Sequence, residues 1–107
     1  QIINIASVAG ITGQGSNIIY CSSKAAIINM TKSLAKCLAP IRVNSISPGL
    51  IKTGFVKFPD DHTQSTISKT PLNRIGKPED IADVAWGLIQ SKFVTGENIV
   101  VDGGLVL

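Results

Sequence analysis

Ile2-Ile3-Asn4-Ile5-Ala6-Ser7-Val8 is an apolar run rich in β-branched residues, and the stretch behind it, Ala9 to Asn17, contains Gly10, Gly13 and Gly15. The first segment predicts a short buried strand, the second a loop. From Ile18 to Ala39 no glycine or proline intervenes, and Pro40 then stops the run. That pattern predicts a long helix ending near the proline. A buried strand feeding a long helix is the opening of an α/β unit, and the rest of the chain repeats it.

Ile41-Arg42-Val43-Asn44-Ser45-Ile46-Ser47 alternates apolar and polar residues, as a strand does, and Pro48-Gly49 closes it. Residues 54–70 are polar and irregular, with Pro59-Asp60-Asp61-His62 at their centre. A loop of that length is commonly a lid or binding loop. Pro78-Glu79-Asp80 opens a second helix, since proline suits the first turn and acids favour its positive end. Its inward positions are Ile81, Val84, Ala85 and Leu88, at i, i+3, i+4 and i+7. Asn98 to Val101 reads as a third strand, closed by a structural turn at Asp102-Gly103-Gly104. This order predicts a parallel sheet covered by helices. Three strands are few for an open α/β sheet, so residues 1–107 are expected to be part of a larger domain.

The long helix has two small or apolar faces. Lys24, Ile27, Ile28, Thr31, Leu34, Ala35 and Leu38 form one; Ala26, Met30, Ser33 and Cys37 form the other; only Asn29, Lys32 and Lys36 make a polar stripe. One face would cover the sheet. The other would meet either its own domain or the same helix of a second subunit.

The 107 residues are 44% hydrophobic and 16% charged, which excludes disorder, and 5% aromatic with a net charge of +3, which argues against a nucleic-acid surface. No apolar run approaches the roughly 18 residues of a membrane helix. Cys21 and Cys37 form neither a disulfide framework nor a metal clip, and no metal site is expected. Sixteen residues apart on one helix, they lie about 24 Å apart and cannot pair. Free thiols fit the reducing cytoplasm.

Tyr20 and Lys24 are four apart and share a helix face. A free tyrosine titrates near pH ~10. A nearby ammonium favours the phenolate, so such a pair can act as general acid and base for a hydroxyl or carbonyl group. Tyr-x-x-x-Lys also recurs by chance. Ser7 stands at the carboxyl end of the first strand, on the edge where parallel α/β sheets bind ligands. It is either an ordinary strand-end hydroxyl or a donor to the same substrate oxygen. Pro48-Gly49 ends the next strand on that edge. Phe55 and Phe58 are pocket candidates and Trp86 reads as helix packing. His62 is a lone histidine in a polar loop, solvated or touching substrate, and Arg42 and Arg74 read as surface residues or structural ion-pair partners.

Together Asn4-Ile5-Ala6-Ser7-Val8-Ala9-Gly10, Tyr20-Cys21-Ser22-Ser23-Lys24, Arg42-Val43-Asn44-Ser45-Ile46-Ser47-Pro48-Gly49 and Val101-Asp102-Gly103-Gly104 resemble the short-chain dehydrogenase/reductase family, in order and spacing. Pro71 to Ala82 resembles the branch containing 3-oxoacyl carrier protein reductases and related sugar and alcohol dehydrogenases. The resemblance implies the C-terminal portion of a Rossmann-type doubly wound parallel sheet. Residues 1–107 would be the C-terminal part of a single NAD(P)-binding domain, without the family's glycine loop or upstream asparagine. It implies catalytic roles for Ser7, which orients the substrate oxygen, Tyr20, the acid/base, and Lys24, which favours its phenolate and meets the nicotinamide ribose. Tyr20, Lys24, Pro48, Gly49, Ile51 and Thr53 would bind NAD or NADP. The implied reaction is hydride transfer between that cofactor and a small alcohol or ketone, in a homodimer or homotetramer built through helix 20–38. The alternative is a truncated or inactive homologue acting through assembly. The connection Leu38 to Arg42 is shorter than the family's, so the helix is expected to fray early.

Overall fold

The structure, a computed structural model, describes residues 1–54 and 58–107. Its elements run β1 (Ile2–Ile5), α1 (Ala9–Thr12), α2 (Ile18–Cys37), β2 (Val43–Pro48), α3 (Asp60–Lys69), α4 (Pro78–Gln90) and β3 (Asn98–Val101). The strands form one parallel sheet in the order β1-β2-β3, with Ile2 opposite Val43 and Ser45 opposite Asn98.

β2 is the centre of the core. Val43, Asn44, Ser45, Ile46 and Ser47 are all fully buried, and both α2 and α4 pack on the strand. Consecutive buried residues require cover on both faces of the sheet. The apolar–polar alternation of this strand therefore does not divide inside from outside. Its polar members are buried and hydrogen-bonded: the hydroxyls of Ser45 and Ser47 both donate to Asn98 Oδ1, over 2.9 and 2.8 Å. Asn44 bridges the turn before β3, donating to the Val94 carbonyl and accepting from the Glu97 N–H. One strand over, Asn4 donates to the buried hydroxyl of Thr31 in α2 at 3.0 Å. These pairings remove the cost of enclosing unpaired polar groups.

α2 starts at Ile18 because Asn17, extended at φ −166°, turns its side chain to accept from the Tyr20 N–H at 2.8 Å. It ends at Cys37, short of the proline, as the short connection predicts. Thr31 is buried and Ile27, Ile28, Leu34 and Ala35 are half-buried, whereas Ala26, Met30, Ser33 and Cys37 are exposed. One of the two apolar faces thus covers the sheet and the other is bare. In α4, Leu88 is buried and Ile81, Val84 and Ala85 are half-buried, as their spacing predicts, while Trp86 points outward. Arg42 makes no ion pair among the described residues. Its guanidinium donates to the carbonyls of Leu88 and Ile89, where α4 ends, and a cation suits that end of a helix.

Two segments depart from the sequence reading. Ala9–Thr12 forms a short helix, α1, where a loop is expected. Residues 60–69 form α3, ten residues long, inside the segment expected to be irregular. Asp60 and Asp61 occupy its first turn and Lys69 its last, the charge order that stabilises a helix end to end. α3 buries no residue. No helix among the described residues is long and apolar enough to cross a membrane.

Candidate active site

The three strands end in step. Val8 N–H donates to the Pro48 carbonyl beyond β1, and Gly49 N–H to the Val101 carbonyl beyond β2, both at 3.0 Å. Gly49 must be glycine for this: a Cβ would lie 2.7 Å from the Asp102 Cβ and 2.9 Å from its Cα. Asp102 in turn accepts from the N–H groups of Gly104 and Val106, fixing the turn after β3. Asp102-Gly103-Gly104 is thus a structural turn, as read from the sequence.

Ser7 lies just past β1. Its Oγ accepts from the Ala9 N–H at 3.2 Å, which leaves the hydroxyl hydrogen free to donate elsewhere. The chain then enters α1, which lies directly on α2. Gly10 allows that approach, since a Cβ there would come within 2.6 Å of backbone atoms of Lys24 and Ala25. Tyr20 is in the first turn of α2 and 38% exposed. Lys24, one turn on, places Nζ 5.7 Å from the centre of the Tyr20 ring. The same ammonium donates to the Ile5 carbonyl over 3.0 Å and retains two further donors.

An open cleft of about 1010 Å³ runs along these strand ends. Ser7, Tyr20, Gly49, Ile51 and Thr53 all line it. Lys24 and Pro48 do not; Lys24 stands behind the Tyr20 ring and Pro48 is the last residue of β2. Five of the seven residues singled out from the sequence therefore share one cleft, and the other two adjoin it. Phe58 lines it as well, while Phe55 lies outside the described residues.

The sequence reading expected a lid or binding loop in this segment and left His62 open as a substrate contact, but it missed the helix α3 and its Ser65, Thr66 and Lys69. His62, Ser65, Thr66 and Lys69 border the cleft, and the His62 ring stacks on Phe58 at 5.2 Å. The available signal was the Asp60-Asp61 pair after Pro59, an acidic helix start without the apolar periodicity that marks a buried helix. Away from the cleft floor, Arg74 and Asp80 form a two-pronged ion pair at 2.7 and 2.8 Å. Asp80 also accepts from the Lys77 N–H at 2.6 Å. The Arg74 hydrogen bonds and then that of Lys77 hold its carboxyl well below the usual carboxylate range. Among the described residues no cluster of three or more His, Cys, Asp or Glu could hold a metal ion.

The family model described as Enoyl-(Acyl carrier protein) reductase matches residues 1–106. The chain is 45% identical to 3-oxoacyl-(acyl-carrier-protein) reductase FabG of Thermotoga maritima, covering all of this chain and 46% of that protein. It is 40% identical to the short-chain dehydrogenase/reductase homolog YusR of Bacillus subtilis, covering 99% of this chain and 83% of that one. A solved short-chain dehydrogenase from Leptospira borgpetersenii with bound NAD+ superposes with a TM-score of 0.87 at 40% identity, covering 99% of this chain and 44% of that chain. The chain thus spans about half the length of FabG and most of YusR.

Proposed function

Because the chain belongs to the short-chain dehydrogenase/reductase family, we propose that it carries the proton-transfer half of an NAD(P)-dependent oxidoreductase acting on a small alcohol or carbonyl compound. The observation that carries this reading is the convergence of Ser7 and Tyr20 on one cleft, with the Lys24 ammonium 5.7 Å from the tyrosine ring. In the carbonyl-reducing direction the Tyr20 hydroxyl gives its proton to the substrate oxygen, and the Ser7 hydroxyl donates a hydrogen bond that orients the same atom. Lys24 holds a positive charge behind the ring, which favours the phenolate left after transfer.

The donor set fits the nicotinamide end of a dinucleotide, the end that NAD and NADP share. The Tyr20 hydroxyl and the spare Lys24 donors suit ribose hydroxyls. Gly49 offers bare backbone, and Ile51 and Thr53 an apolar and a polar wall. The cofactor, when bound, supplies or accepts the hydride.

Ile2 and Ile5 are exposed on β1, an outer strand of the sheet. That favours residues 1–107 being the C-terminal part of one domain, with further strands beside β1. The bare face of α2 favours a homodimer or homotetramer through this helix, and two free cysteines favour the cytoplasm.

The test uses protein expressed from the complete coding sequence, followed by cofactor absorbance with a panel of alcohols and ketones. Turnover that disappears in Tyr20→Phe supports the reading; wild-type turnover in that variant removes it. A second reading, an inactive homologue acting through assembly, is favoured by YusR, a relative little longer than this chain. Absence of any turnover, with a stable oligomer in sedimentation, would select it.

A further inference from the structure

His62, Ser65, Thr66 and Lys69 stand at i, i+3, i+4 and i+7 of α3, the spacing that stacks side chains on one face of a helix. All four border the cleft that contains Ser7 and Tyr20. The inward side of α3 is Thr63, Thr66 and Ile67, all half-buried, whereas His62, Ser65 and Lys69 are exposed, so packing does not account for those three. The acids of the helix, Asp60 and Asp61, do not line the cleft, and neither does any other Asp or Glu side chain among the described residues. Lys69 makes no ion pair among them either. Phe58 stacks on His62 with the two rings 17° from parallel, which sets the imidazole on this wall. The Thr66 hydroxyl donates to the His62 carbonyl at 3.0 Å, so the hydroxyl proton left to offer is that of Ser65.

A molecule in the cleft beside Tyr20 therefore has an ammonium, an imidazole and a hydroxyl on the α3 wall, and no Asp or Glu side chain among the described residues lines the cleft. An anion complements that set, through a charge-assisted hydrogen bond from the ammonium and a further bond from the serine. Resting on the oxidoreductase reading above, we infer that the alcohol or carbonyl substrate bears an anionic group, a carboxylate or a phosphate ester, held by Lys69 and its α3 neighbours. Tyr20 and Ser7 then address the oxygen at the other end of the same molecule.

The cofactor's diphosphate is the other anion such a reaction brings, so the experiment separates the two. Labelled protein from the complete coding sequence is titrated, without cofactor, with levulinate, with methyl levulinate and with NAD+, following the amide resonances of α3. Turnover of oxo acids and oxoalkyl phosphates of several chain lengths, each against its neutral ester, is then measured for wild type, Lys69→Met and Lys69→Arg. The expected result is resonance shifts with levulinate but not its ester. The acid-to-ester ratio of kcat/KM should fall about tenfold in Lys69→Met, through KM, and recover in Lys69→Arg. An unchanged ratio, with acid and ester both turned over, overturns the anion site and leaves the oxidoreductase reading standing. Weakened NAD+ binding with an unchanged ratio assigns Lys69 to the diphosphate and also overturns it. If neither acid nor ester is turned over, the oxidoreductase reading fails, and the levulinate titration alone decides whether α3 binds anions.

Discussion

The Lys24 ammonium donates to the carbonyl oxygen of Ile5 across 3.0 Å, tying the first turns of α2 to the end of β1. The contact places one cation between the last residue of a strand and the ring of Tyr20. Position and charge are therefore coupled in a single side chain. Tyr20→Phe is expected to lower turnover of the complete protein by on the order of 10²–10⁴-fold. Lys24→Met is expected to lose a comparable factor. Because the two residues act on one proton, the double variant should be little worse than the more severe single one. Steady-state kinetics on the three variants checks this; fully multiplicative losses would mean that the residues act independently.

Arg74 and Asp80 make stability depend on acid pH with a definite sign. The folded carboxyl of Asp80 is depressed below its ordinary value of 3.8. Between the folded and unfolded values the unfolded chain binds more protons, so stability rises with pH in that window. The contribution is complete above the unfolded value and is lost as pH falls through the folded one. Asp80→Asn should therefore lower the thermal midpoint at neutral pH, and the gap to wild type should close in strong acid. High salt should shrink the gap, since the pair is partly exposed. A gap that is constant with pH would show that the carboxylate's charge is not what Asp80 contributes.

Gly10 and Gly49 occupy two close approaches of backbone to backbone. An added methyl meets Lys24 and Ala25 main-chain atoms in the first case and Asp102 in the second, all under 3.0 Å. Gly10→Ala and Gly49→Ala should each cost about 1–3 kcal/mol, as overpacking does. The urea midpoint should fall with the slope unchanged. The Gly10 variant should also impair turnover, because α1 can yield only by pushing on the turn that carries Lys24.

Arg42 reaches two carbonyls at the end of α4 with one fork. Arg42→Lys keeps the charge but not the fork. It should lose about 1 kcal/mol in urea unfolding, and amide exchange should quicken first in the last turn of α4.

Much of this architecture is legible in one pass along the chain. An apolar, β-branched run places β1, alternation places β2, a stretch free of glycine and proline places α2 and 3.6-residue spacing places α4, and the residues at the strand ends gather where parallel topology requires. What the pattern hides has physical reasons. α3 carries no apolar stripe because its inward face is mostly threonine, Thr63 and Thr66 beside Ile67, all only half-buried, so its signal is charge at its ends rather than hydrophobic spacing. α1 is a single turn containing Gly10, which propensity alone disfavours. The serines of β2 look solvent-facing in sequence, yet Asn98, more than fifty residues later, accepts from both. The approach of Gly49 to Asp102 is equally non-local. Local sequence therefore supplies Ser7 and Tyr20 and marks residues 54–70 as a binding segment, while the helical wall with Ser65, Thr66 and Lys69 emerges only in three dimensions.

Ala26, Met30, Ser33 and Cys37 leave a strip of α2 exposed, with Met30 at 46%. Small residues on either side of one flexible apolar side chain let a second helix come close, and a thioether adapts to the surface it meets. If this strip joins two copies of the protein, Met30→Glu sets two like charges against each other near the middle of the contact. Each would also lose its water there. The expected outcome is a smaller species in sedimentation at micromolar concentration, with α2 still folded by circular dichroism because Met30 makes no part of the core. Ala26→Lys should act in the same direction. If both variants sediment as wild type does, the copies meet elsewhere and the strip is simply solvated.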